Sequence, residues 1–176
     1  MSSRQSTGHG TTPSADRPCI PGYGVPTTHE GLLPWSWAES RLRDATLYWI
    51  STTRPDGRPH VAPVWAVWVD GLIVFESGPN SRRSRNIAAN PAASVHIQSG
   101  DDVVIVEGVA ETIDRPDPAF AARLLEAFAK YNGYGYQYNP ANWQNGGLYI
   151  VRPRKVMGWA RFDIQDATRW IFGSSP

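Results

Sequence analysis

Aromatic and β-branched residues are concentrated in three neighbouring segments of the chain, each bounded by residues typical of turns. These segments cover residues 46–53, 60–69 and 72–77, and their composition predicts β-strands. The sequences between them, Arg54-Pro55-Asp56-Gly57 and Asp70-Gly71, favour tight turns between antiparallel strands. We therefore predict a meander of three strands in this part of the chain.

The second half of the chain contains further segments with strand character. Residues 93–98, 103–113 and 148–159 are predicted strands, and the last is interrupted by Pro153, which cannot donate a backbone hydrogen bond. Residues 167–172 fit either one last strand or a docking tail. Together with the meander, these segments predict about six strands.

Two shorter segments have features of helices. Residues 36–44 begin with Ser36 and Glu39 at the spacing of a capping box, and the helix is expected to end near residue 44. Residues 81–89 follow a Gly-Pro-Asn break, and the N-cap is predicted at Ser81 or the residue before it. Both segments are predicted to form short helices appended to the strands.

The longest amphipathic segment is residues 114–131, in which apolar residues recur at helical spacing. Four of its side chains are expected to face the core: Phe120, Leu124, Leu125 and Phe128. The combined pattern predicts a mainly β fold of the α+β class, with two or three helices appended to a β-barrel.

Two segments lack a regular pattern of apolar positions. Residues 1–30 are rich in Ser, Thr, Gly and Pro, so we expect a disordered N-terminal arm before a single domain of residues 31–176. Residues 131–147 are rich in Tyr, Asn and Gly and are expected to form a loop. The aromatic residues of this loop indicate packing rather than disorder.

Composition narrows the classes of partner and compartment. The 176 residues carry a formal net charge of +1 and are 41% hydrophobic, which gives no overall attraction for nucleic acid or an anionic membrane. The single cysteine, Cys19, cannot form a disulfide within the chain. The sequence has neither a signal-peptide pattern nor an apolar stretch long enough to span a bilayer. We therefore expect a cytoplasmic protein with no nucleic-acid or membrane partner.

The segment Ser81-Arg82-Arg83-Ser84-Arg85-Asn86 places three arginines in the predicted first turn of a helix. Positive charge there is unfavourable by about 0.3–1 kcal/mol per exposed side chain, because the helix N-terminus is already partly positive. A bound phosphate would remove that cost, and arginine can donate two hydrogen bonds to one phosphate. The open alternative is a solvated basic surface, or arginines paired with acids such as Glu76 or Glu39.

The segment from His60 to Trp68 of the second predicted strand is another candidate for ligand contact. Pro63 favours a sheet edge or a bulge, where backbone groups are open to a ligand. Small Ala62 and Ala66 beside Trp65 and Trp68 would leave room for a flat ring, although an ordinary barrel core explains the same residues equally well. Another histidine, His96, is expected to be a structural barrel residue.

The signatures of several enzyme classes are missing. The sequence has no metal-ligand spacing, no nucleotide-binding fingerprint and no nucleophile elbow. We therefore predict no metal site and identify no catalytic side chain.

The order of these motifs resembles the pyridoxamine phosphate oxidase-like superfamily. The resemblance is carried by Arg54-Pro55-Asp56-Gly57-Arg58-Pro59-His60-Val61-Ala62-Pro63-Val64-Trp65, then Asp70-Gly71, then Ser81-Arg82-Arg83-Ser84-Arg85-Asn86 through Asn90-Pro91. More narrowly, the chain is similar to flavin/deazaflavin oxidoreductases, especially the branch that binds the deazaflavin coenzyme F420. The similarity spans about residues 35–170.

The resemblance implies a split, FMN-binding-like β-barrel that forms a homodimer with the cofactor at the interface. It implies that Ser81, Arg82 and Arg83 hold a phosphate and that Asn86 supports their loop. It further places the cofactor beside the strand residues His60, Val61, Ala62, Pro63, Val64 and Trp65, and near Glu76 and Ser77.

Two departures limit this transfer. Arg83 stands where many relatives carry Lys, which retains the charge but changes its reach. The chain also lacks a C-terminal Arg-x-His pattern of the kind that holds pyridoxine phosphate in the true oxidases, which argues against oxidation of vitamin B6.

The function implied is hydride transfer between F420 and a small organic substrate. FMN-dependent oxidoreduction is an alternative that uses the same phosphate-binding residues. A third hypothesis is a non-catalytic carrier of a cofactor, haem or bilin, in which His60 could serve as an axial ligand.

Overall fold

Nine antiparallel strands and three α-helices make up the computed structural model, which describes residues 12–143, 147–161 and 163–173. The strands are β1 (Ser14–Asp16), β2 (Tyr48–Thr53), β3 (Pro59–Val64), β4 (Ala66–Val69), β5 (Leu72–Glu76), β6 (Ala92–Ile97), β7 (Val103–Ile113), β8 (Leu148–Trp159) and β9 (Thr168–Ile171). The helices are α1 (Trp35–Asp44), α2 (Arg82–Ala89) and α3 (Pro118–Phe128).

The barrel wall follows the strand order β3-β2-β6-β7-β8-β5-β4. The chain passes directly from β3 to β4 at Trp65, but these two strands are not paired with each other, so the sheet stays open between them. β1 and β9 extend the sheet from the second half of β8. The predicted mainly β, split-barrel fold with appended helices is confirmed.

The prediction of one continuous strand over residues 60–69 is wrong. The strand ends at Val64, which pairs with Tyr48, and a new strand begins at Ala66, which pairs with Phe75. The chain turns at Trp65 because the two halves pair with different strands, on opposite sides of the split.

The long strand β8 contains Pro153 without ending there. Its pairing with β7 shifts register here: Glu107 pairs with Lys155 and Gly108 with Pro153, which leaves Arg154 as the extra residue of a bulge in β8 beside the proline. Gly108 is required at this bulge because a Cβ atom there would collide with the carbonyl oxygen of Arg152. The predicted interruption at Pro153 is therefore a bulge within β8, and the strand continues on both sides of it.

Two hydrophobic cores lie on the two sides of the barrel wall. The inner core fills the barrel, and the outer core lies between α3 and the strands β4 and β5. In α3, Phe120, Leu124 and Phe128 are buried and recur every four residues on one face. Leu125 was predicted to join them but is 38% exposed, because the next position along a helix is turned about 100° away.

The first two helices begin in different ways. The predicted capping box of α1 is wrong: the N-cap is Pro34, with no side-chain hydrogen bond, and Glu39 instead accepts a hydrogen bond from Trp68. In α2, Ser81 is the N-cap and its hydroxyl accepts from the backbone N–H of Ser84, as predicted.

The N-terminal segment differs from the expected disordered arm in its described part. Ser14–Asp16 pairs with β9, and Arg169 donates two hydrogen bonds to the carboxylate of Asp16. Residues 1–11 lie outside the described residues. Among the helices of the described residues, none is both long enough and apolar enough to cross a membrane.

Candidate functional site

Three serines join the end of β5 to the start of α2. The hydroxyl of Ser77 lies 2.9 Å from that of Ser81 and 3.1 Å from that of Ser84. Ser84 also donates to the carbonyl oxygen of Gly78 at 2.8 Å. These bonds hold the turn tightly against the first turn of the helix, whose leading N–H groups have no partner within the helix itself.

Arg83 lies over this serine cluster. Its guanidinium donates to the hydroxyl of Ser77 at 3.2 Å and lies 5.3 Å from the centre of the Phe75 ring. Burial lowers the pKa of the Arg83 guanidinium. Its Nε atom is buried and has no hydrogen-bond partner among the described residues. The side chain is therefore held in place with one donor unused.

Asn86 connects α2 to the barrel wall. The residue is fully buried, and its Nδ2 donates to the hydroxyl of Thr52 on β2 at 3.0 Å. Its Oδ1 atom finds no donor in the described part of the chain. This placement agrees with the predicted supporting role of Asn86, which stays a prediction.

His60 lies opposite Thr52 in the β2–β3 ladder, and the two side chains share the inner face of the sheet. Burial, followed by the positive charges of Arg54, Arg83 and Arg82, lowers the pKa of His60. The Nδ1 atom of His60 and the Nε atom of Arg54 are both buried and lack a hydrogen-bond partner among the described residues. Three guanidinium groups and one imidazole thus converge beside the N-terminus of α2.

No acidic side chain of the described residues forms an ion pair with this cluster. Asp56, whose carboxylate feels the charges of Arg54 and Arg82, is bound by Arg58 through hydrogen bonds of 2.7 and 3.0 Å. The ion pairs found among the described residues involve none of Arg54, Arg82 and Arg83. The alternative pairing with Glu76 or Glu39 is absent in this described part, because both carboxylates accept hydrogen bonds from aromatic side chains instead.

The strand β3 offers backbone groups at an open sheet edge. Pro59 and Pro63 have no N–H, so their positions must be the non-hydrogen-bonded pairs of the β2–β3 ladder. Val61 lies two residues from each proline and is therefore also in a non-hydrogen-bonded pair, so its N–H and C=O point away from β2. Its side chain is 54% exposed. The backbone N–H of Val61 is thus turned toward the open edge of the sheet, where a ligand can accept a hydrogen bond from it.

Trp65, at the corner between β3 and β4, lies in an aromatic cluster. Its ring stacks on Tyr131 with centroids 5.2 Å apart and contacts Tyr134 and Tyr136 at 5.8 and 5.6 Å. The hydroxyl of Tyr131 donates to the carbonyl oxygen of Ala66 and accepts from its N–H, and burial raises the pKa of Tyr131 to about 12. The predicted packing of this aromatic segment is confirmed. Part of the segment forms two 3-10 helices, Ala129–Tyr134 and Pro140–Trp143. Residues 144–146 lie outside the described residues.

Glu76 and Ser77 were predicted together, but the structure separates their side chains. Glu76 accepts hydrogen bonds from Tyr136, at 2.8 Å, and from the indole of Trp143. Ser77 instead joins the serines of α2. Glu76 thus anchors the aromatic loop, and its predicted contact with a cofactor stays a prediction.

Sequence reasoning missed Arg54 as a member of the site. The signal was the hairpin register: Arg54 continues β2 two residues after Thr52 and so projects on the same face. Ser84 was also missed, although its position three residues after the N-cap is the one that bonds to a capping side chain.

The unused polar atoms test whether a phosphate-bearing cofactor suits this site. Arg54 and Arg83 each retain a buried donor, Ser81 and Ser84 carry hydroxyls, and the local charge is positive. Phosphate oxygens accept from such donors. Asn86 retains an acceptor, which a sugar-type hydroxyl would satisfy. The residues therefore fit a phosphorylated cofactor with a hydroxylated chain. Within the described residues, no group of His, Cys, Asp or Glu is arranged to hold a metal.

Solved structures of known proteins are similar to this chain in fold. A protein described as an F420 reductase is 28% identical, with 67% of this chain and 94% of that chain covered and a TM-score of 0.52. An FAD-binding protein from Mesorhizobium loti is 17% identical, with coverage of 80% and 96% and a TM-score of 0.56. A heme-binding protein from Mycobacterium smegmatis is 24% identical, with coverage of 77% and 58% and a TM-score of 0.55. The latter two show the fold alone.

A search of curated proteins gave no match. The family model for pyridoxamine 5'-phosphate oxidase matches residues 38–147, which include the barrel strands from β2 to β7, α2 and α3. This chain therefore belongs to the pyridoxamine 5'-phosphate oxidase family, an oxidoreductase-like family that binds flavins.

Proposed function

We propose that this chain is an oxidoreductase that binds the deazaflavin coenzyme F420 and transfers a hydride between it and a small organic substrate. The observation that carries the proposal is the cationic cluster at the N-terminus of α2, in which the buried Nε donors of Arg54 and Arg83 have no partner among the described residues. The likeness to an F420 reductase supports the choice of F420 over other cofactors.

The phosphate of the cofactor would lie between the N-terminus of α2 and the serine cluster. Arg83 is oriented there by Ser77, and Ser81 and Ser84 fix the turn around it. Arg82 is exposed on the same turn and can close over the anion. A bound phosphate would also remove the repulsion between arginines and the helix terminus.

The ring of the cofactor would lie along the open edge of β3. Val61 offers its backbone N–H there, and Trp65 at the end of the strand is held rigidly by stacking on Tyr131. The cofactor supplies the hydride chemistry when bound, so the chain needs no nucleophile of its own. The protein's part is to orient the ring and to keep water away from it.

A second copy of the chain would complete the site as a homodimer. Val61 is a large apolar side chain exposed on the edge strand, and Pro59 and Pro63 expose further apolar surface beside it. A cleft of about 620 Å³ continues from this edge and is lined in part by Pro59, Ala92 and Val109. An exposed apolar edge of this kind is typical of an interface.

Parallel fluorescence titrations with F420 and FMN test the proposal. Arg82→Ala combined with Arg83→Ala should weaken F420 binding at least tenfold, because each charge-assisted hydrogen bond contributes about 1.5–3 kcal/mol. Arg85→Ala is the matched control, since Arg85 is exposed on the same helix. Unchanged affinity in the double variant would refute the phosphate site.

Two other outcomes redirect the assignment. Preference for FMN, in a yellow protein, would make the chain an FMN-dependent oxidoreductase. The second outcome is tight binding of F420 or haem with no oxidation of the reduced cofactor by any quinone, enone or nitroaromatic substrate in single-turnover assays. This outcome would favour a non-catalytic carrier of the cofactor.

A further inference from the structure

Three aromatic rings lie at the corner where the open edge of β3 ends. The ring of Trp65 lies 5.8 Å from that of Tyr134 and 5.6 Å from that of Tyr136, measured between centroids. Tyr134 is 63% exposed and Tyr136 38%, whereas Tyr131, on which Trp65 stacks, is fully buried. We call Trp65, Tyr134 and Tyr136 the aromatic wall. Its exposed rings form an apolar surface of the kind that contacts a ligand or partner.

Glu76 places a negative charge at the aromatic wall. Its half-buried carboxylate accepts hydrogen bonds from the hydroxyl of Tyr136, at 2.8 Å, and from the indole of Trp143. Both donors are neutral, and the ion pairs found among the described residues do not include Glu76. Burial raises the pKa of Tyr136 and of Tyr138, and the charge of Glu76 raises both further. The carboxylate thus acts on the aromatic wall without a cationic partner in the described part of the chain.

The hydroxyl of Tyr136 has a fixed direction. Its single proton is donated to Glu76, so toward any other molecule the oxygen can only accept a hydrogen bond. The same bond makes Tyr136 a poor proton donor. The aromatic wall therefore offers a ligand the faces of its rings, an acceptor oxygen and a nearby negative charge.

We propose that the aromatic wall and Glu76 bind a flat organic cation, and that such a cation is the substrate class of this chain. The inference rests on the proposed function and names the substrate that its hydride transfer would serve. The faces of Trp and Tyr rings attract cations. The carboxylate adds a Coulombic attraction, which water screens less at a half-buried site than at the open surface.

Reduction of a cation of this kind requires no acid from the aromatic wall. The cation takes up a hydride, with its two electrons, at a carbon of its conjugated C=N system. The π electron pair moves to the nitrogen, which loses its positive charge. Two electrons and one hydrogen leave reduced F420 in this step, and one further proton passes from it to the solvent. The neutral product is no longer attracted by Glu76, which favours its release.

Equilibrium dialysis of the full chain, with and without F420, tests the binding site. The probes are N-methylquinolinium and its neutral isostere methylnaphthalene. The wild-type chain should bind the cation about tenfold more tightly than the isostere. Glu76→Gln removes the charge and keeps one acceptor oxygen, so it should abolish this preference while changing the affinity for the isostere less than about twofold. Glu111→Gln is the matched control, since Glu111 is an exposed carboxylate paired with Arg152.

Tyr136→Phe is a second variant that leaves the charge in place. It keeps the ring and frees one oxygen of Glu76 from its hydrogen bond, so the preference for the cation should be retained or increased. In single-turnover assays, N-methylquinolinium should oxidise reduced F420 in the wild-type chain and do so more slowly in Glu76→Gln.

The outcomes separate this inference from the proposed function. If the wild-type chain does not bind F420, the proposed function fails, and the assignment of the cation as substrate fails with it. If the chain binds F420 but holds the two probes equally, or if Glu76→Gln weakens both equally, Glu76 only anchors the aromatic loop and this inference alone is overturned. Selective binding of the cation without oxidation of reduced F420 also overturns this inference alone.

Discussion

The hydroxyl of Tyr131 closes the corner at which the barrel is split. It donates to the carbonyl oxygen of Ala66 at 2.7 Å and accepts from the N–H of Ala66 at 3.0 Å, and both residues are fully buried. Ala66 is the first residue of β4, directly after Trp65. Tyr131→Phe removes both bonds and leaves the stacking of the ring on Trp65 in place.

The cost of this substitution follows from the two groups left without partners. A buried polar group that loses its hydrogen bond costs about 1–3 kcal/mol, so Tyr131→Phe should lower the free energy of unfolding by about 2–6 kcal/mol. This is a large part of the stability of an ordinary domain, which is about 5–15 kcal/mol. The midpoint of urea denaturation should fall, with little change in slope.

Tyr134→Phe is the matched control for Tyr131→Phe. Tyr134 also contacts Trp65, but it is 63% exposed and its hydroxyl has no hydrogen-bond partner among the described residues. Its loss should change stability by less than about 0.5 kcal/mol. Equal effects of the two substitutions would show that the Tyr131 hydroxyl does not hold the corner.

Two further predictions concern the barrel and its helices. Gly108→Ala should destabilise the fold by more than about 2 kcal/mol in thermal unfolding, because the added Cβ would collide with the carbonyl oxygen of Arg152. Gly100→Ala is the control, since a Cβ there meets no atom and the substitution should be neutral. Equal melting temperatures of the two variants would contradict the bulge geometry. Burial lowers the pKa of Lys130 from 10.5 to about 8, so between pH 8 and 10.5 the unfolded chain binds more protons and stability should rise with pH. Lys130→Met should remove this rise when the free energy of unfolding is measured by urea denaturation at pH 7.5–9.5, a range of about two units below the ionisation of tyrosine. If the free energy of unfolding of the variant still rises with pH, the rise belongs to another group.

Most of the fold was predictable because its information is local. Turn residues and strand composition located β2, β5, β6, β7 and β8 to within one or two residues. The N-cap at Ser81 followed from the hydroxyl that a helix start requires. The errors arose where tertiary contacts decide: the split at Trp65 depends on which strands pair, and Leu125 on which helix face is covered.

The candidate site was predictable only in part. The arginines after Ser81 were predicted to bind a phosphate because positive charge at a helix N-terminus is unfavourable by itself. Arg54 carries no such signal, since an arginine beside a Pro-Asp-Gly turn is ordinarily a solvated surface residue. Its role depends on Thr52 and Asn86, which bring the hairpin to the helix across 34 residues of sequence.

The sequence by itself determined most of the strands, the three α-helices, the family resemblance and the concentration of positive charge after Ser81, because each depends on neighbouring residues. Tertiary structure decided where the barrel opens, which loop Glu76 anchors and which side chains surround His60. These features depend on strand pairing and burial between segments far apart in the chain. Burial also leaves the donors of Arg54 and Arg83 unused, which makes an anion the appropriate ligand.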